Sequence, residues 1–162
     1  MMKKRELSIS YLEYQSADEL PEADRHLVNE ALSAAAGAYA PYSHFMVGAA
    51  ILLDDGTVVR GANVENAAFP SGSCAEKTAL SYTVANYRDR KATAIAIVAL
   101  ADGKPTSDPV PPCGNCRQML IEEEQRLNSP LRVILAGESG VIILENCRSL
   151  MPLSFTRTNL QK

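Results

Sequence analysis

Cys74-Ala75-Glu76 and, further along, Pro112-Cys113-Gly114-Asn115-Cys116 decide how this chain is read. Between them lies the almost continuous apolar run 92–100, the pattern of a strand covered on both faces. Ser73 is the candidate N-cap of a helix over 74–87, and a second helix is expected over 114–127. Helix, covered strand and helix in that order make an α/β chain with helices packed on a sheet. The same residues suit a catalytic zinc. Such a site keeps three protein ligands and leaves the fourth position to water or substrate. Cys74, Cys113 and Cys116 fill the three places. Glu76, two residues from a ligand, is the candidate to handle the protons of water without binding metal.

The flanking sequence extends the pattern. Leu27, Ala31, Ala34 and Ala38 form an apolar stripe on a helix over 23–38, ended by Pro41. Strands are expected over 45–53 and 57–63 around the turn Asp54-Asp55-Gly56, and over 131–136 and 141–144 around a turn at 137–140. Residues 101–112 read as a Pro-rich loop, and a short terminal helix is expected near Ser149. Leu7, Ile9 and Tyr11 alternate with polar residues, so 1–20 is expected either as an added edge strand or as a tail. Residues 21–162 are expected to form one domain, a three-layer α/β/α sandwich around a mixed sheet.

Composition narrows the function. The chain of 162 residues is 46% hydrophobic and carries a net charge of −3, which argues against a nucleic-acid surface. No apolar run approaches the roughly 18 residues of a membrane helix. Met1-Met2-Lys3-Lys4-Arg5 is not followed by the apolar stretch of a signal peptide. A cytoplasmic location with reduced thiols is therefore expected. Cys147 lacks motif spacing and is expected as a buried, apolar-like residue. His26 and His44 are read as structural, and Glu122, Glu123 and Glu124 as a solvated helix face.

Cys-x-Glu joined to Pro-Cys-x-x-Cys resembles the zinc deaminase pattern in its three-cysteine form. The likeness reaches further. Ala40-Pro41-Tyr42-Ser43-His44-Phe45-Met46-Val47-Gly48-Ala49-Ala50, Asn63-Val64-Glu65-Asn66-Ala67-Ala68-Phe69-Pro70, Cys113-Gly114-Asn115-Cys116-Arg117-Gln118 and Leu150-Met151-Pro152-Leu153-Ser154-Phe155 resemble, in order, blocks of the small homotetrameric cytidine deaminases. The resemblance implies a five-stranded mixed sheet and one Zn²⁺ per subunit. It also implies hydrolysis of free cytidine and deoxycytidine to uridine and deoxyuridine with release of ammonia, in pyrimidine salvage. It further implies Asn63 and Glu65 on the ribose, Phe45 stacked on the base, and Ala67 and Ala75 (with Pro112) offering backbone groups to the base edge. Phe155 would come from a neighbouring subunit of a homotetramer with shared sites. No nucleic-acid or membrane partner is implied.

Zinc with three thiolates has a net charge of about −1 (two positive against three negative charges). Two helix N-termini at the cysteines, each worth about half a positive charge, would offset it. Lys77 stands where the family usually shows Arg. It is either a further source of compensation or a solvated helix lysine. Cys74 and Glu76 would point about 200° apart on a regular helix and can converge only at its first turn. Competing readings are a deaminase of another aminopyrimidine, a nucleic-acid editing deaminase, and a structural zinc closed by a fourth sulfur, for which Cys147 is the spare thiol.

Overall fold

The computed structural model describes residues 1–160. In chain order it contains β1 (Leu12–Tyr14), α1 (Glu22–Ala35), β2 (Phe45–Leu53), β3 (Val58–Ala62), α2 (Ala75–Asn86), β4 (Ala92–Ala101), β5 (Lys104–Pro105), α3 (Gly114–Leu127), β6 (Arg132–Ala136) and β7 (Val141–Leu144). The strands lie in the order β1-β7-β6-β4-β2-β3, with β5 paired to β4. β4 and β6 run parallel and every other pairing is antiparallel. The expected layers are present, but the sheet has seven strands rather than five. The additions are short: β1, from residues 12–14, pairs with the edge of β7, and β5 turns back on β4. Leu7, Ile9 and Tyr11 do not form the expected strand; pairing begins at Leu12.

Period-two alternation along β4 divides the core. Ile95 and Ile97 face α2 and α3, packing with Ala79, Leu80, Leu120 and Ile121. Ala94, Ala96 and Val98 face α1, packing with Leu27, Val28 and Ala31. Each fully buried Ile or Leu contributes roughly 1.5–3 kcal/mol. On the α1 face small residues let the helix sit close: a Cβ on Gly48 would lie 2.9 Å from Ala35 Cα. Arg132 donates to both Asp24 carboxylate oxygens, at 3.1 and 2.9 Å, tying β6 to the start of α1.

Of the charge run on α3 only Glu122 is solvated as expected. Glu123 and Glu124 are buried, at 3% and 6% exposure. Glu123 pairs with Arg126 through two hydrogen bonds. Glu124 accepts the N–H groups of Leu131 (3.2 Å) and Cys147 (2.7 Å), and Arg148 lies 3.3 Å from its other oxygen. A buried carboxylate is tolerated when its oxygens are satisfied in this way. The terminal helix near Ser149 is a short 3-10 turn, Cys147–Leu150, fastened by that carboxylate. Among the described residues no helix is long and apolar enough to cross a membrane.

Candidate active site

Cys74 and Cys113 are the N-caps of α2 and α3, both in extended backbone, and Cys116 lies in the first turn of α3. The cap of α2 is thus Cys74 rather than Ser73, whose hydroxyl instead accepts from Thr78 Oγ1 at 3.1 Å. Both helices begin at a sulfur, so both positive helix ends lie at the cluster. The first-turn N–H groups of α3 act on Cys113. Burial pushes its thiol up, but hydrogen bonds from Cys116, the N–H of Asn115 and the Cys74 thiol more than offset that and leave it below the ordinary value. Cys116 is pushed well up by burial and by the charges of Glu76 and Cys74. Burial also raises Cys74 and Glu76.

The donor set fits zinc. Cys74 Sγ and Cys113 Sγ are 3.8 Å apart, and the three sulfurs lie within 4.8 Å of one another. A tetrahedral ion with Zn–S bonds of about 2.3 Å requires about 3.8 Å between sulfurs. Among the described residues the group within reach of one ion is this trio alone. Cys147 is fully buried and turns its thiol to Leu131 O at 3.3 Å. A fourth sulfur does not close the site, so the donor set is that of a catalytic rather than a structural zinc.

A cavity of about 400 Å³ opens beside the sulfurs. Its lining includes Phe45, Asn63, Glu65, Cys74, Ala75, Glu76 and Cys113. Glu76, 5% exposed, sits in the first turn of α2 next to Cys74, where the two side chains can converge. Ile97 of β4 forms apolar wall, as do Val110 and Pro111 of the Pro-rich loop. These were not singled out from the sequence, because a loop proline and a strand isoleucine read the same anywhere. Phe69 also lines the cavity and is 80% exposed.

Asn63 and Glu65 do more than face the cavity. Asn63 accepts the Val47 N–H at 2.7 Å and donates to Phe45 O at 2.9 Å, so its amide completes the start of β2. Glu65 accepts the N–H groups of Tyr42 (2.9 Å) and Ser43 (3.2 Å) and the Ser43 hydroxyl. The Ser43 hydroxyl, then the Tyr42 N–H, hold the Glu65 carboxyl below the usual carboxylate range.

Lys77, Ala67 and Phe155 are not among the residues that line the cavity. Lys77 is half-buried on α2, and among the described residues its ammonium makes no hydrogen bond or ion pair. Ala67 is exposed and lies outside the cavity lining. Phe155 is 60% exposed and outside the lining too. Its backbone is anchored to α3, because Gln118 Nε2 donates to Phe155 O at 2.9 Å. Arg117 was missed as a structural link. Its guanidinium donates to Pro112 O and Leu150 O, each at 2.8 Å, joining the metal loop to the C-terminal segment.

Comparison with known proteins agrees with this geometry. Residues 21–127 match the model of the cytidine and deoxycytidylate deaminase zinc-binding region. A cytidine deaminase of Halalkalibacterium halodurans is 42% identical over 134 residues, covering 83% of this chain and 95% of that protein. One from Mycobacterium tuberculosis is 39% identical over 123 residues, covering 74% and 88%. The crystal structure of cytidine deaminase from Burkholderia pseudomallei superposes with a TM-score of 0.66 at 40% identity, over 80% of this chain and 97% of that one. With three sulfurs close enough to share one ion and a buried glutamate beside them, this chain belongs to the cytidine deaminase family.

Proposed function

We propose that this protein is a zinc-dependent hydrolase that converts cytidine and deoxycytidine to uridine and deoxyuridine. The observation that carries this is the 3.8 Å spacing of the Cys74 and Cys113 sulfurs, with Cys116 in reach of the same ion, in a cavity of about 400 Å³ that Glu76 also lines. Cys74, Cys113 and Cys116 would hold zinc. When bound, zinc supplies Lewis acidity, which brings the pKa of water toward neutrality and makes it a nucleophile at pH 7. Glu76 takes the proton from water and hands it to ring N3 as the water oxygen adds to C4. It then carries the second water proton to the amino group, which leaves as ammonia while the C4 carbonyl forms. Water and the amine are consumed and released one for one, so the carboxylate ends as it began. The acid–base role is supported by its position: one group serving both transfers has to lie between the water and the base.

Phe45 stacks on the pyrimidine and turns C4 toward the metal. Glu65 accepts a sugar hydroxyl, Asn63 faces the same end, and backbone groups near Ala67 and Ala75 meet the base edge. Lys77 adds positive potential near the first turn of α2. Residues 21–162 act as one catalytic domain, with 1–20 as an appendage. Phe155, exposed on its own chain, reaches the site of a neighbouring subunit in a homotetramer. Its exposure and its anchoring to α3 support that role. The enzyme works in pyrimidine salvage in the cytoplasm, consistent with reduced thiols as ligands.

Ammonia release and bound zinc, measured together, test the reading. Glu76→Gln is expected to keep zinc and lose turnover by about 10²-fold or more. Turnover at the parent rate would remove Glu76 from the chemistry. Phe155→Ala subunits mixed with Glu76→Gln subunits regain activity above the sum of the two if sites are shared, and stay additive if they are not.

A further inference from the structure

Between Pro41 and Phe45 the chain reverses tightly. The His44 N–H donates to Ala40 O at 3.1 Å, and His44 sits at φ 56°, in the left-handed region. That turn aims Ser43 at Glu65. The Ser43 N–H reaches Glu65 Oε2 at 3.2 Å, and its hydroxyl donates to Glu65 Oε1. The same hydroxyl oxygen accepts the Phe45 N–H at 3.1 Å. Glu65 and Phe45 both line the cavity, whereas Ser43 does not.

We propose that Ser43 is a positioning residue for nucleoside binding, its one hydroxyl holding the Glu65 carboxylate and the Phe45 end of β2 in a fixed mutual geometry. This rests on the reading of Glu65 and Phe45 as substrate contacts. A carboxylate offers about four acceptor sites. Tyr42 N–H, Ser43 N–H and the Ser43 hydroxyl take three. The site left over is the one available to a sugar hydroxyl, and its direction is set by the other three. The terminal torsion of a glutamate is soft. Without the Ser43 hydroxyl, Oε1 loses its donor and the carboxylate is free to turn. Phe45 loses an N–H acceptor at the point where β2 begins. Neither change touches Glu76 or the sulfurs. The loss therefore falls on substrate and transition state alike, which raises KM and spares kcat.

The test compares Ser43→Ala, Ser43→Thr, Glu65→Ala and the double variant Ser43→Ala/Glu65→Ala, with bound zinc and melting temperature recorded for each. Ser43→Ala is expected to raise KM for cytidine about 10-fold, the size of one hydrogen bond to a charged group, with kcat near the parent. Ser43→Thr keeps the hydroxyl and restores KM. In the Glu65→Ala background, Ser43→Ala costs clearly less than it does alone, because most of its effect passes through the carboxylate. An unchanged KM in Ser43→Ala overturns the proposal, as does a Ser43→Thr variant as impaired as Ser43→Ala, or equal costs in both backgrounds. If Glu65→Ala raises KM and Ser43→Ala does not, this inference alone falls. If Glu65→Ala leaves KM unchanged, the sugar-binding reading beneath it falls as well.

Discussion

Gly61→Ala tests whether the sheet sets the position of the metal helix. Gly61 lies in β3 directly under α2. A Cβ there would sit 2.5 Å from Ala75 O and 2.8 Å from Ala79 Cβ, and nearer still to Ala79 N. Non-bonded heavy atoms rest at about 3.5 Å, so α2 has to withdraw by roughly 1 Å. Two of the three obstacles are backbone, and no rotamer relieves them. Overpacking by one carbon costs about 1–3 kcal/mol, and this site belongs at the upper end. For a chain of this size about 3 kcal/mol lowers the melting temperature by roughly 6–12 °C. The same withdrawal carries Cys74, the N-cap of α2, away from Cys113. Metal sites hold their ligand distances to about 0.2 Å, so zinc retention should suffer before the fold does. At limiting zinc, kcat/KM should fall by about 100-fold, as for a 1 Å misplacement of catalytic groups. Calorimetry, zinc content after dialysis against a chelator, and steady-state kinetics read the three effects. Gly37→Ala is the control, since its Cβ would meet Ala34 O at 3.5 Å, an ordinary contact. A Gly61→Ala protein that melts with the parent and keeps its full zinc would refute the argument.

Arg132→Ala strips the bidentate partner from Asp24, which is 8% exposed. A loss of about 2 kcal/mol is expected, less than for a fully buried pair because Arg132 is partly solvated. It is read as a fall of roughly 4–8 °C in melting temperature, partly recovered by adding Asp24→Asn; no recovery would mean that the lost packing, not the orphaned charge, dominates. Glu65 has a depressed carboxyl in the folded protein, so its contribution to stability is present above the ordinary value of 4.5 and fades as pH falls through the folded value. The melting-temperature gap between parent and Glu65→Gln should thus be flat at neutral pH and close in acid; a gap that widens in acid would contradict the hydrogen bonds drawn to that carboxylate.

The sulfur trio and the place of Glu76 beside Cys74 were legible because Cys-x-Glu and Pro-Cys-x-x-Cys are spacings a zinc site uses, although the meeting of Cys74 with Cys113, 39 residues away, is made by α2 and α3 packing on one face of the sheet. β4 was legible as an unbroken apolar run, and α1 in part through its stripe: Leu27 and Ala31 are buried as expected, whereas the helix ends at Ala35 and Ala38 lies beyond it. What escaped the sequence depends on partners far along the chain. Glu123 and Glu124 look like a solvated run until Arg126, Arg148 and the Leu131 and Cys147 N–H groups surround them. Asn63 and Glu65 read as ligand residues, and nothing local told that they also brace Tyr42–Val47. His44 lies in a left-handed turn just before β2, where strand alternation does not fix the direction of a side chain. Phe155 could be given only an expected destination, since a single chain leaves it exposed.

β1 has three residues, yet it lies along β7 from Val141 to Ile143. A bare β7 would offer a row of unused amide and carbonyl groups on a strand of Val and Ile, a template on which another chain could grow. Three residues cover that row and then stop, too short to invite a further neighbour. Trimming the protein to its most familiar portion would remove this cover. Clumping on standing, with catalysis per surviving molecule intact, is the expected price of such a trimmed version.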